Sequence, residues 1–477
     1  MTFARYIQPV NPRSVVFHMG GIAWLVGLTL AVPTLAAVIA TEWSQSVWFG
    51  GTSFLFGVSG WLLRRGPERD LEMNEALVVT ALAYLVFAIA GAIPFLPHVP
   101  AIDALFESMS GFTTTGLTVV PLAALPSSLL FFRAFSQWIG GAGIIILSVV
   151  ILTGSGLSSK RLYGLEFGED KLAGNVRATA RLVFRVYAVL TAAGILALAL
   201  SGASYFEALL LAPAALSTGG FSPYPDSVGR FADGAVPWVL TGLMLLGATS
   251  LPLYHLARRQ GPAVVWRDPQ TRALMLTLLA STLLLWFSAN FDLGRLFPSV
   301  FQAASSITTT GFGLSREAEW SDSTKVLTLL LMSIGGSTGS TAGGIKLLRI
   351  IMTLAVIRWF VVRLLLPREA HVPLRVGAAT VEREDLDYVF AFVAGYVLVL
   401  LLSGLALTLA GYPGIDALYE SASAIGTVGL STGIASAEAP GWVKILLSME
   451  MWIGRVELMP VLVLFYWRTW FAEKGGS

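Results

Sequence analysis

The sequence predicts an all-α polytopic membrane protein, and three features of the chain indicate this fold class. Hydrophobic residues make up 55% of its 477 residues and charged residues only 13%, whereas soluble domains carry about a quarter charged residues. Apolar stretches of about 20 residues, the length that crosses a bilayer as a helix, recur along the chain. A segment of related sequence occurs four times between these stretches. We expect two N-terminal helices followed by four repeats.

About ten stretches are apolar enough to span a membrane. They cover residues 15–40, 46–63, 76–95, 126–153, 182–200, 237–256, 273–287, 326–366, 388–409 and 442–467. The seventh stretch is short, and the eighth is too long for one span. Basic residues lie in or after the even-numbered stretches, among them Arg64, Arg65, Arg69, Lys160, Arg161, Lys171, Arg258, Arg259, Lys346, Arg349, Arg368 and Lys474. Since Arg and Lys favour the cytoplasmic side, both termini are predicted to be cytoplasmic.

The connections on the opposite side contain four segments that align without gaps, at residues 103–116, 207–220, 298–311 and 416–429. Each has a short apolar part, then small polar residues, and ends in glycine. Each repeat therefore reads as a helix, a re-entrant half-helix, a Thr/Gly segment and a second helix, and such internal repeats define the domain organisation. The predicted units are an N-terminal two-helix domain at 1–70 and repeats at 71–160, 161–262, 263–370 and 371–477.

The Thr/Gly segments predict a cation filter around a central pore. Non-helical backbone is tolerated at membrane depth only where it is buried in protein or lines a watery cavity. Rings of carbonyl oxygens can replace the hydration shell of potassium, and the C-terminal end of each half-helix favours a cation. The predicted filter residues are Thr113, Thr114, Thr115, Gly116, Ser217, Thr218, Gly219, Gly220, Thr308, Thr309, Thr310, Gly311, Gly426, Thr427, Val428 and Gly429.

The motifs resemble those of the Trk/Ktr/HKT superfamily of potassium transporters. Residues 110–116, 217–222 and 308–312 resemble its successive filters, residues 335–346 its third-repeat loop, and residues 451–457 its last helix. The two N-terminal spans resemble the TrkH branch rather than the shorter KtrB branch. In this superfamily a serine at the first filter glycine marks sodium-permeable members, so the four glycines imply potassium selectivity. Gly-Thr-Val-Gly in repeat four, and Leu211 and Pro213 in repeat two, depart from the pattern and predict an asymmetric filter.

The glycine-rich run inside the eighth stretch predicts a break in the helix, because glycine has poor helix propensity. It is either a kink without function or, as the resemblance implies, an intramembrane gate beneath the filter. The predicted gate residues are Gly335, Gly336, Ser337, Thr338, Gly339, Ser340, Thr341, Gly343, Gly344, Lys346 and Arg455.

Four charged residues near these sites have two readings each. Arg455 either pairs with Glu450 or Glu457, or acts as an electrostatic barrier below the filter, since charge within a span is costly and usually functional. Lys346 is either part of the gate or a side chain that reaches the cytoplasmic edge. Glu107 and Glu420 either attract cations at the outer mouth or, as we favour, hydrogen-bond the backbone behind the filter.

The remaining features bear on other function classes. There are no cysteines, the four histidines are dispersed, and no phosphate-binding loop occurs, so neither an enzyme nor a cofactor in this chain is expected. A transporter with inverted repeats would alternate repeat orientation, whereas the charge pattern gives all four repeats one orientation. A non-transporting scaffold would not require filter-like backbone. The resemblance further implies a bacterial inner-membrane homodimer with a cytosolic nucleotide-binding regulatory subunit of the TrkA-like RCK type.

Overall fold

The computed structural model describes residues 9–65, 71–153, 176–315, 319–367, 373–376, 379–381 and 383–471. Helices dominate these residues, and the one sheet among them is a short antiparallel pair, β1 (Arg375–Val376) with β2 (Ala379–Thr380). Some of the basic residues used to predict orientation lie outside the described residues: Arg69, Lys160, Arg161, Lys171, Arg368 and Lys474. The predicted unit boundaries at 70, 160 and 370 also lie outside them.

The first two helices form a hairpin that stands outside the repeats. Helix α1 spans Pro12–Ile39 and α2 spans Trp43–Leu63. Glycines allow the two backbones to touch: a Cβ on Gly27 would lie 2.7 Å from the backbone nitrogen of Gly57. Small residues at helix crossings are typical of membrane proteins, because there close packing replaces the hydrophobic effect.

The remaining helices follow one pattern four times: a long helix, a 12-residue half-helix, and a second helix. Repeat one contains α3 (Met73–Ala92), α4 (Ala101–Phe112) and α5 (Ser127–Thr153). Repeat two contains α6 (Val176–Leu200), α7 (Tyr205–Leu216), α8 (Val236–Ala248) and α9 (Leu251–Gln260), and α10 (Ala263–Arg267) leads to repeat three. Repeat three contains α11 (Pro269–Ser288), α12 (Leu296–Ile307), α13 (Asp322–Ile334) and α14 (Leu347–Leu364). Repeat four contains α15 (Arg383–Leu409), α16 (Gly414–Ile425), α17 (Gly441–Val456), α18 (Leu458–Phe465) and the terminal turn α19 (Arg468–Phe471).

Six helices of the described residues are long and apolar enough to cross a membrane, and a seventh span results if α8 and α9 are counted together. The seventh stretch, predicted to be short, forms the 20-residue helix α11. The predicted break within the eighth stretch is present, because α13 ends at Ile334 and α14 starts at Leu347.

Two stretches predicted as single helices are broken, and that prediction was wrong. The stretch 237–256 bends by 91° between α8 and α9. The stretch 442–467 breaks at Glu457, whose φ is +67°. Proline explains both breaks, since its ring clashes with the carbonyl four residues earlier. Pro252 and Pro460 each stand four residues after the last residue of the preceding helix, Ala248 and Val456.

Two ion pairs, one buried and one partly buried, join neighbouring repeats at the starts of half-helices. Lys444 of α17 lies 2.5 Å from Asp103 of α4, so repeat four is tied to repeat one. Lys325 of α13 lies 2.7 Å from Asp416 of α16, so repeat three is tied to repeat four. The carboxylates are favourably placed, because the first turn of a helix attracts negative charge.

We expect Lys444→Met to lower the free energy of unfolding by about 3–5 kcal/mol, because it leaves Asp103 as a buried, unpaired charge. Lys325→Met should cost less, because its partner Asp416 has a side chain 23% exposed, compared with 9% for Asp103. Chemical unfolding of the detergent-solubilised protein measures both. The double variant Asp103→Asn/Lys444→Met should recover much of the loss; equal losses in all three variants would contradict this account.

Candidate cation filter and intramembrane loop

The filter backbone repeats one unusual conformation at equivalent positions of the four segments. The second residue of each is a threonine with positive φ: Thr114 (+54°), Thr218 (+52°), Thr309 (+55°) and Thr427 (+50°). This region is uncommon for a β-branched residue and costs about 1–3 kcal/mol per residue, so the surrounding structure must impose it. The following N–H returns to the half-helix in every repeat, as from Thr115 to the Ser110 carbonyl at 2.9 Å.

The four segments close into a ring, as the surroundings of the four glycines show. A Cβ on Gly116 would run into the carbonyl oxygen of Gly219, in the segment of repeat two. The same relation joins Gly220 to the Thr310 carbonyl, Gly311 to the Val428 carbonyl, and Gly429 to the Thr115 carbonyl. Each glycine therefore touches the carbonyl that precedes the glycine of the next segment, in the order one, two, three, four and back to one.

Most carbonyl oxygens of this ring have no protein donor. Within the described part of the chain, no residue donates a hydrogen bond to the carbonyls of Thr114, Thr115, Thr309, Thr310, Thr427 or Val428. All six residues are at most 1% exposed. Buried backbone carbonyls are nearly always satisfied, and a dehydrated cation is a partner that such a ring can accept. The negative ends of the four half-helices face the same place.

Repeat two differs from the other three in the burial of its glycine and in the partner of one carbonyl oxygen. The glycines Gly116, Gly311 and Gly429 are partly accessible, whereas Gly220 is buried. The carbonyl of Gly219 is also occupied, because it accepts a hydrogen bond of 2.6 Å from the Nε2 of Gln137 on α5. Sequence reasoning missed Gln137, since it stands in an apolar helix far from any filter motif.

The two carboxylates behind the filter hydrogen-bond protein groups. Glu420 accepts bonds from Ser431, Thr432 and the backbone N–H of Ala435, which order the chain after filter four. Glu107 accepts bonds from Thr118 and the N–H of Val119. It also pairs at 2.6 Å with Arg133 of α5.

The second helix of each repeat crosses close to the end of its own half-helix. A Cβ on Gly140, Gly247 or Gly454 would run into the carbonyl oxygen of the last half-helix residue, which is Phe112, Leu216 or Ile425 respectively. In repeat three the equivalent position is Gly335, and there the helix ends.

The chain leaves α13 at Gly335 and returns at Lys346, and these residues form the intramembrane loop. The base of the loop is closed by bonds from the N–H groups of Ile345 and Lys346 to the carbonyls of Ser333 and Ile334. Gly335, Gly339 and Gly344 have φ between +74° and +76°, which glycine adopts without strain. The predicted loop residues are therefore brought together in one excursion from the helix.

The loop packs against the broken end of α8. The break frees the carbonyls of Gly247 and Ala248, and these accept bonds from the N–H groups of Thr341 and Ser337 at 3.1 and 2.9 Å. The loop also reaches the filter itself, where the N–H of Gly343 donates to the hydroxyl of Thr309 at 2.8 Å. Filter and loop are thus in direct contact.

Arg455 forms no ion pair with Glu450 or Glu457 among the described residues, so the pairing alternative is wrong. Its guanidinium donates to the carbonyl of Thr341 in the loop at 2.9 Å and to that of Gly140 on α5 at 2.8 Å. Glu457 instead pairs with Arg349 at 2.8 Å. Lys346 is only 8% exposed, so it does not extend into solvent.

Comparison with known proteins agrees with this architecture. Residues 44–469 match the family model of TrkH, described as a cation transport protein. The chain is 30% identical to the Trk system potassium uptake protein TrkH of Halomonas elongata over 96% of this chain and 99% of that protein. It is 32% identical to TrkH of Salmonella typhimurium over 94% and 100%.

A solved structure is also similar. The crystal structure of the potassium transporter TrkH from Vibrio parahaemolyticus superposes with a TM-score of 0.86 at 28% identity, covering 97% of this chain and 100% of that one. The fold and the length of the match agree with the family model. This chain belongs to the TrkH family of cation transport proteins, a family of membrane transporters and not of enzymes.

Proposed function

We propose that this protein takes up potassium across the cell membrane through the four-segment ring, and that residues 335–346 gate the pathway. The observation that carries the proposal is the closed ring of buried carbonyls, most of which accept no hydrogen bond from the residues that the structure describes. Such a ring offers oxygen ligands at fixed spacing, which suits a dehydrated monovalent cation. The relatives from Halomonas elongata and Salmonella typhimurium are potassium uptake proteins, which supports the choice of ion.

The loop has the contacts that a gate requires. Its N–H groups bind a filter threonine and the broken end of α8, and its Thr341 carbonyl binds Arg455. These bonds hold the loop beneath the filter. Its three glycines with positive φ allow the loop backbone to adopt a second conformation that opens the pathway. Arg455 adds a positive charge on the same side of the ring, which opposes cation leak.

The proposal includes an arrangement in the membrane and an assembly. The chain comprises two N-terminal helices and four repeats in about ten spans, with both termini in the cytoplasm of a bacterial inner membrane. It works as a homodimer with a cytosolic nucleotide-binding subunit of the TrkA-like RCK type. The relatives belong to the Trk system, which supports an assembly of several parts. Potassium is the proposed substrate, and no cofactor is proposed for the chain itself.

Purified protein in sealed liposomes tests the function directly. We expect uptake of potassium to exceed that of sodium and of a larger organic cation, since the ring is matched to one ion size. A variant with residues 335–344 replaced by a short linker should transport faster, because the proposed gate is gone. If neither protein moves any monovalent cation, the proposal that the four-segment ring conducts cations is wrong.

Gly116→Ser is expected to lower the potassium-to-sodium flux ratio about tenfold, equivalent to about 1.4 kcal/mol. The side chain would displace the Gly219 carbonyl and strain a backbone with φ +95°. The matched control is Gly411→Ser, because Gly411 has φ +98° but nothing within 4 Å of its Cβ position. An unchanged ratio in Gly116→Ser, or an equal fall in the control, would contradict the filter assignment.

Arg455→Gln is expected to raise potassium flux several-fold, because the positive charge is lost while hydrogen bonds to carbonyls remain available. Flux into liposomes by wild type and variant at matched protein density is the measurement. Lys444→Gln serves as a control, since Lys444 is equally buried on the same helix but binds Asp103 at the outer side. Equal or lower flux in Arg455→Gln would refute the barrier.

A further inference from the structure

Three filter segments hold their own backbone through a serine, and one cannot. The serine stands six residues before the filter glycine. Its hydroxyl accepts the glycine N–H in repeats one and four, from Gly116 to Ser110 and from Gly429 to Ser423, both at 3.0 Å. In repeat three the hydroxyl of Ser305 donates to the Phe312 carbonyl at 2.7 Å. In repeat two the position is Ala214, which has no side-chain hydrogen-bonding group.

A side chain from the neighbouring repeat holds the backbone on either side of the glycine in the second segment. Gln137 of α5 is fully buried. Its Nε2 donates to the Gly219 carbonyl at 2.6 Å, and its Oε1 accepts the N–H of Phe221 at 3.0 Å. A carbonyl only accepts and an N–H only donates, so the two backbone groups fix the orientation of the amide. The amide therefore binds the backbone on both sides of Gly220, the glycine of the second filter segment.

The position equivalent to Gln137 carries a polar side chain in repeat one, next to the segment that lacks the serine, and methionine in repeats two and four. Gln137 stands three residues before Gly140, the glycine at which α5 meets the half-helix of its own repeat. Three residues before the equivalent Gly247 and Gly454 stand Met244 and Met451. Repeat one alone of these three therefore carries a hydrogen-bonding side chain here, and its neighbour is the segment that lacks the serine.

We propose that Gln137 is a specificity-determining positioning residue: by holding the carbonyl of Gly219 it keeps the second segment in register with the other three. The proposal rests on the proposed function of the ring. The Gly219 carbonyl is also the group against which Gly116 packs, so a shift in it moves two of the four segments. Without the amide, the second segment is free to approach the axis and to accept the smaller sodium ion.

The principal test is Gln137→Met, a substitution by the residue that occupies the equivalent positions in repeats two and four. In liposomes the potassium-to-sodium flux ratio should fall about tenfold. Gln45→Met is the matched control, because Gln45 is also buried and its Nε2 donates to a backbone carbonyl, that of Pro94, at 2.8 Å. The control should keep the wild-type ratio.

A second-site rescue separates positioning from a merely structural role. Ala214→Ser restores the serine of repeats one and four, so Gln137→Met/Ala214→Ser should recover at least half of the lost discrimination on a logarithmic scale. Ala214→Ser alone should keep the wild-type ratio. If Gln137→Met does not fold, Gln137→Asn carries the test, since it keeps the amide but is one methylene shorter and cannot reach both the Gly219 carbonyl and the Phe221 N–H.

The outcomes distinguish this inference from the function on which it rests. A wild-type protein that moves potassium and sodium equally overturns the proposed function and this inference with it. A selective wild type together with an equally selective, folded Gln137→Met overturns the inference alone. A loss of selectivity that Ala214→Ser does not repair also overturns it, because the amide would then do something other than hold the second segment.

Discussion

The structure depends on the contact between each filter glycine and the carbonyl of the next segment. Four such contacts close the ring, and each leaves no room for a Cβ. The same contacts set the spacing of the oxygens, because a segment can move only by displacing its neighbour. This arrangement has a conformational cost, because four threonines are held in the left-handed region of φ and ψ. The half-helices and the surrounding helices, which bury these residues, supply the compensating packing.

Side chains on the surrounding helices of one repeat bind the half-helix or filter segment of the next repeat, and so hold the ring together. Lys444 and Lys325 each bind the half-helix of the following repeat, and Gln137 binds the following filter. Arg133 extends the same scheme, since it pairs with Glu107 in its own repeat and donates to the Ser222 carbonyl in the next at 2.8 Å. Repeats one, two and four are therefore each completed by the preceding repeat, and a single repeat would leave buried polar groups without partners.

The loop shows how one of four similar helices acquires a different use. In repeats one, two and four a glycine lets the second helix pass the end of the half-helix, whereas in repeat three the chain leaves the helix at that level. The carbonyls that receive the loop come from the break in repeat two, and the guanidinium that holds it comes from repeat four. Departures from symmetry in three repeats thus meet at one place, next to the ring.

The sequence by itself determined the repeats, the filter glycines and the interrupted helix, because each is a local pattern of glycine, threonine and apolar residues. The prolines Pro252 and Pro460, which break two helices, are also visible in the sequence, but the predicted spans did not take them into account. Only the tertiary structure decided the order of segments around the ring, the partners of Arg455 and the contacts of Gln137. Those contacts join residues 82 to 315 positions apart. A hydrogen bond between such distant residues depends on how helices pack, and no spacing along the chain records it.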